Sequence, residues 1–264
     1  MKRFLELDDK RQRGSKPRCH LLTDGTTAEV AGRLTGLVKP YGSVVPDNWM
    51  PRGFESTDEV QLHNPNTFIA VQTGLKLKNW WFEIPGGTGP TWDLVSQCSV
   101  GNGTSVRQGV LLVEAKAHWA ELEQDGKELK ANASDNSRRN HGRIGSAIDE
   151  ANVGLRMLTG DPGWALSRDK CYQLANRFAW AWKLMDLGVP VVLVYLGFLN
   201  ATEMSDKGRP FFDHADLEAC VKAHAMHSVP EGMWEHEWRA TSGASLVACI
   251  RSTGQSLTSA RMSL

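Results

Sequence analysis

Two rhythms of apolar residues divide the chain. From Ser167 to Leu187 the apolar positions Leu174, Phe178, Ala181 and Met185 recur at i, i+4, i+7 and i+11. That spacing predicts one long amphipathic helix, with Ser167 as N-cap and Gly188 and Pro190 as its stop. A shorter helix is predicted over about 144–158 from Ile144, Ile148, Leu155 and Leu158, another over 26–38, and a third near 215–227. The other rhythm is that of strands. "GPTWDLVSQC" and "VRQGVLLVEAKA" read as two strands around a connection whose Asn102-Gly103 pair signals a hairpin. "VVLVYLGFL" (191–199) reads as a strand covered on both faces, and "SLVACIRS" (245–252) as a final strand. "FIAVQTGLKLKNWWFEI", from Phe68, is read as one or two further strands on its β-branched and aromatic content. Residues 1–18 read as a flexible charged lead-in, 39–66 as irregular chain, and 132–143 as an exposed loop. The order predicts an α/β fold with a central mixed β-sheet flanked by helices. With no internal repeat and no linker, residues 1–264 are expected to form a single domain with its core at about 67–200.

One strand end breaks the pattern. The aliphatic run Val110, Leu111, Leu112, Val113 terminates in Glu114, Ala115 and Lys116. Alternation puts Glu114 and Lys116 on one face. An even-numbered connection after the preceding strand would bring Asp93 opposite or diagonal to Glu114 on that face, roughly 4.5–8 Å away. Two neighbouring carboxylates repel, and burial makes that worse, unless a hard cation lies between them. Mg²⁺ or Mn²⁺ suits such a set, with Asp93, Glu114 and the carbonyl of Ala115 as oxygen ligands. Lys116 would then hold the attacking water and stabilise charge growing on a phosphate. The chemistry indicated is phosphodiester hydrolysis.

Asp93, a spacer of twenty residues and Glu114-Ala115-Lys116 on an apolar strand resemble the PD-(D/E)XK nucleases of the restriction-endonuclease-like fold. The helix and strand of "CYQLANRFAWAWKLMDLGVPVVLVYLGFL" follow in the order that family shows. The resemblance implies a metal-dependent endo- or exonuclease with DNA as the favoured substrate. It also implies a supporting role for Gln173, early on that helix. The chain departs from the pattern in three ways. Trp92 stands where a Pro precedes the Asp, Arg177 replaces an aromatic residue one turn after Gln173, and Tyr172 precedes it. The family's further acid on an N-terminal helix has two candidates, Glu29 and Glu59. The alternative is a non-catalytic nucleic-acid-binding or assembly module that keeps the nuclease fold.

Composition narrows this only partly. Thirty basic residues balance thirty acidic ones, which excludes coating of nucleic acid through bulk charge. Arg138, Arg139, Arg143 and Arg177 remain candidate backbone contacts, each against a solvated or ion-paired reading. Trp180 and Trp182 are read as core packing, with base stacking as the alternative. His118 is weighed as an aid to a metal or substrate. His214, His224, His227 and His236 are read as ordinary surface histidines. Five scattered cysteines without a C-x-x-C pair indicate neither a disulfide framework nor a zinc site. The charged N-terminus lacks the apolar core of a signal peptide, and no apolar run is long enough for a bilayer. A cytoplasmic protein without a membrane partner is expected, with self-association or a partner protein left open.

Overall fold

A computed structural model describes residues 12–101, 106–255 and 257. Its elements in chain order are α1 (Ser15–Leu22), α2 (Thr27–Val38), β1 (Gly42–Met50), α3 (Val71–Trp81), β2 (Leu94–Val100) and β3 (Arg107–Lys116). These are followed by α4 (Asp135–Thr159), α5 (Tyr172–Asp186), β4 (Val191–Phe198), α6 (His214–Ala225), β5 (Glu237–Arg239) and β6 (Ser245–Thr253). The six strands form one open mixed sheet in the order β1-β2-β3-β4-β6-β5. β2 runs antiparallel to both its neighbours, β1 and β3; β3, β4 and β6 run parallel, and β5 returns antiparallel to β6. The parallel step from β3 to β4 needs a long crossover, which α4 and α5 supply. Among the described residues no helix is long and apolar enough to cross a membrane.

Both sheet faces are covered. Val110, Leu112, Leu193, Leu246 and Ala248 face the layer of α3 to α6, where Trp80, Trp81, Trp180 and Trp182 form an aromatic cluster. Leu111, Val113, Ala115, Val192, Val194 and Val247 face α1 and α2. β3 from Gly109 onward and the whole of β4 are therefore buried on both faces, and Glu114 and Lys116 share the α5 side with Val110 and Leu112 by alternation. The expected helix α2 forms, closed by a capping box between Thr26 and Glu29.

The remaining differences from expectation have local causes. Residues 71–81 are helical, not extended. Gly74, Leu77, Trp80 and Trp81 are the buried positions, a helical spacing that outweighs the β-favouring composition. The polar stretch 132–143 contains the start of α4, capped by Ser134 accepting from the Ser137 amide at 3.2 Å. Its first turns face solvent and so carry no apolar stripe. α5 begins at Tyr172, not Ser167, because the Ser167 hydroxyl closes a local turn onto the Asp169 amide at 3.0 Å. β1 lies within the stretch read as irregular. It is an edge strand whose register shifts between Val44 and Trp49, and such an edge tolerates Pro46. Part of the supposed lead-in is α1, with Arg18, Cys19 and His20 buried. Asn102 and Gly103 lie outside the described residues, but Val100 pairs with Arg107, so the connection has the even parity expected.

The packing of α4 on α5 supplies a test. A Cβ added to Gly154 would stand 2.2 Å from the Trp182 ring, whereas one added to Gly142 on the same helix meets nothing within 4 Å. Gly154→Ala is expected to lose about 1–3 kcal/mol in urea unfolding despite alanine's better helix propensity. Gly142→Ala is expected to gain up to ~1 kcal/mol.

Candidate active site

β3 extends beyond its partner β2. Leu94 pairs with Val113, so Asp93, one residue before β2, falls opposite Glu114 at the next step of the same register. The Asp93 carboxylate takes the place of a strand partner there, accepting the Ala115 amide at 2.8 Å through Oδ2. Amide and carbonyl of one strand residue point to the same neighbour, so the Ala115 carbonyl also looks toward the Asp93 side. Glu114 is 2% exposed and Lys116 6%. Lys116 Nζ donates to Glu114 Oε1 at 2.7 Å and to Gln173 Oε1 at 2.6 Å. The first turn of α5 thus delivers Gln173 to the end of β3, and Asp93, Glu114, Ala115, Lys116 and Gln173 come together.

Arg177, one turn further along α5, completes the cluster. Its Nε donates to Glu114 Oε2 at 2.5 Å and its Nη2 to the Thr91 carbonyl at 2.7 Å. The guanidinium lies over the Trp92 ring, 4.5 Å from the centroid. Arg177 is buried, so it is neither a solvent-facing ion-pair partner nor an open phosphate contact. Trp92 gives it a flat support, which accounts for a tryptophan at the position before the Asp.

Burial, and then the like charge of Glu114, lift the Asp93 pKa to about 7, against the pull of the Ala115 amide, Arg177 and Lys116. Part of Asp93 still reaches solvent, so it is the accessible edge of the cluster. Burial also acts to raise Glu114, but Arg177 and Lys116 together outweigh it and hold this carboxyl below its ordinary value. For Arg177 burial works against the charge, and Glu114 and Asp93 more than compensate. Two carboxylates and two cations therefore balance inside the protein, with Asp93 the member nearest to titration at neutral pH.

Comparison of the chain with protein-family models, with curated proteins and with solved structures returns no match. The function is therefore argued from the site itself.

The other candidates lie elsewhere. Glu29 belongs to the capping box, accepting the Thr26 amide at 2.9 Å, and Glu59 pairs with Lys16 at 2.6 Å on the rim of a groove of about 750 Å³ that reaches Thr91. Neither touches Asp93 or Glu114 by a described bond. Arg138 and Arg139 lie on α4, near Asp135 at 3.8 Å and Glu83 at 2.5 Å, and Arg143 is half-buried on the same helix. Trp180 and Trp182 are core residues. His214 meets Ser252 Oγ at 3.2 Å, His236 stacks near Trp238, and His227 is exposed. His118 is buried, with Nε2 3.6 Å from Glu121.

Two neighbours of the cluster escaped the sequence reading. Glu121 accepts the Ala117 amide at 2.5 Å, and burial raises its pKa. It is the further acid closest to the cluster in the chain, five residues past Lys116, in a short 3₁₀ turn that no periodicity announces. Tyr195 pairs with Glu114 across β3 and β4, and its buried hydroxyl lacks a hydrogen-bond partner among the described residues. The signal for it was available, since the buried strand 191–199 runs beside β3.

The charge balance gives two predictions. Arg177→Met alone leaves Glu114 buried without its guanidinium and is expected to cost about 3–5 kcal/mol, whereas Arg177→Met combined with Glu114→Gln recovers much of that in urea unfolding. The second concerns pH. A carboxyl whose folded pKa lies above its unfolded value binds more protons when folded, so its ionisation destabilises the fold. The loss begins above the ordinary Asp value near 3.8 and is complete above about 7. In EDTA, Asp93→Asn is therefore expected to raise Tm over wild type more at pH 8 than at pH 4.5.

Proposed function

We propose that this protein is a metal-dependent nuclease of the PD-(D/E)XK kind, with a restriction-endonuclease-like fold, hydrolysing phosphodiester bonds in the cytoplasm with DNA as the favoured substrate. The observation that carries this reading is the convergence of Asp93, Glu114 and Lys116 at one strand end, with Gln173 brought to Lys116 by the following helix.

The residues fit a hard divalent cation. Among the described residues no group of three or more His, Cys, Asp or Glu is arranged around a metal position. Mg²⁺ does not need one: one or two carboxylates, a carbonyl, waters and a substrate phosphate suffice. Asp93 and Glu114 supply the carboxylates and Ala115 the carbonyl. When bound, Mg²⁺ or Mn²⁺ would supply Lewis-acid polarisation of the phosphate and a more acidic water. The protein's own part is positional. Gln173 orients the Lys116 ammonium, and Lys116 holds the attacking water by hydrogen bonding. As the water oxygen bonds to phosphorus, its proton passes to solvent. The bond to the leaving oxygen breaks and that oxygen takes a proton from solvent, while Lys116 steadies the charge on the phosphoryl oxygens. Arg177 keeps Glu114 ionised and in place.

One observation favours a second reading, a nucleic-acid-binding or assembly module without chemistry. Both oxygens of Glu114 are already bonded, to Lys116 and to Arg177, so the cluster is electrically complete with no added ion. Cation binding separates the two readings.

The deciding experiment incubates the protein with linear and circular DNA, single- and double-stranded, in Mg²⁺, Mn²⁺ or EDTA. Glu114→Gln and Lys116→Met are run beside wild type, with circular dichroism to verify folding. A nuclease is expected to cut only with metal and to lose at least ~100-fold in both variants. No cutting of DNA or RNA, together with no heat of Mn²⁺ binding by calorimetry, would leave the binding module.

A further inference from the structure

Of the ten tryptophans, eight are buried and Trp238 is half-buried, but Trp119 is 52% exposed. It stands three residues after Lys116, and its amide is anchored on the Arg209 carbonyl at 3.1 Å. Trp119 lines a cavity of about 260 Å³ together with Leu122, Gln124, Arg209 and the α6 residues Cys220, Ala223 and His224. The pocket is too small for a folded element, and its lining combines aromatic and apolar residues (Trp119, Leu122, Ala223) with polar ones (Gln124, Arg209, His224).

His224 lines the pocket, and its Nδ1 is buried without a hydrogen-bond partner among the described residues. Burial, and then the Lys116 charge, hold the His224 pKa below the ordinary imidazole value. Arg209 is neutralised by two bonds of 2.8 Å to Asp216 and lies over the exposed Phe212 ring. Its charge is therefore already matched, and it offers a planar surface more than an anion site. The pocket also borders the candidate active site. The Gln124 carbonyl accepts the Cys171 amide at 2.9 Å, two residues before Gln173, and Trp119 itself follows Lys116 by three residues.

A ligand matching these walls has flat apolar faces and hydrogen-bonding edges. We propose that the pocket beside Trp119 takes one unstacked nucleobase of a single-stranded nucleic acid, next to the bond presented to Lys116. A base inside an intact duplex cannot reach such a pocket, whereas stacking on an exposed aromatic ring is how single strands are held with little sequence preference. The placement next to the bond that is cut rests on the nuclease reading; the capture of a base does not.

The test is equilibrium binding of a short fluorescein-labelled oligothymidylate, followed by anisotropy in EDTA so that nothing is cut. Trp119→Ala is expected to weaken binding about tenfold, while Trp119→Phe, which keeps a stacking ring, stays within about twofold of wild type. A strand with an abasic position at the bound site should bind wild type as weakly as the intact strand binds Trp119→Ala, and a blunt duplex should not respond to the substitution. Because the side chain is exposed, the variant is expected to fold, and circular dichroism verifies this. Unchanged affinity in Trp119→Ala, or no binding of single strands by wild type, overturns the pocket. Metal-dependent cutting with unchanged Trp119→Ala binding would keep the nuclease and remove the pocket. Binding lost in Trp119→Ala without any cutting by wild type would keep the pocket and remove the nuclease.

Discussion

The structure depends on one buried negative charge. The Glu114 carboxylate sits on the middle strand of the sheet with 2% of its surface exposed, and an ionised group there is tolerable only if it is fully paired. Much of the surrounding architecture follows. α5 must start close enough to the end of β3 to lower Arg177 onto one oxygen. Lys116 must come back along the same face to the other. Trp92 has to be broad and flat to carry the guanidinium, and the Thr91 carbonyl takes up its remaining donor. Across β4, Gly197 stands beside Lys116 in register, and a Cβ there would collide with Leu217, so the glycine lets α6 close in on the same end of the sheet.

Within this balanced set Asp93 is the exception. It lies outside the strand ladder, keeps contact with solvent and has the carboxyl whose charge is least supported. An incoming cation or phosphate would meet this residue first. Glu114, by contrast, is locked. A locked acid beside an unsettled one separates holding geometry from responding to a ligand, and the two functional readings differ only in whether the unsettled one ever receives its partner.

Legibility in the sequence followed how far each interaction reaches along the chain. The strands β2, β3 and β4 and the stripe of α5 repeat an apolar pattern over several residues, so they could be read directly. The facing of Asp93 and Glu114 followed from strand alternation and the parity of one connection. Elements set by distant contacts were hidden. α3 looks like a strand until its tryptophans are seen against α5, and the opening turns of α4 have no apolar side to reveal them. Arg177 was legible as a residue facing Gln173's side of the helix but not as a buried one, because its burial depends on Trp92, more than eighty residues away in the chain. Glu121 carries no periodic signal because a single 3₁₀ turn has no period, and Glu29, a capping glutamate, looks the same in a string of letters as an acid that serves a site.

The sheet's two outer strands carry a consequence of their own. β1 breaks register between Val44 and Trp49 and holds Pro46 inside the break, while β5 spans only Glu237–Arg239. An open sheet can grow when a stranger's backbone zips onto an unpaired margin, and here one margin is kinked and the other is cut short. Both margins therefore work against fusion of two copies into one continuous ribbon through the repeating peptide group.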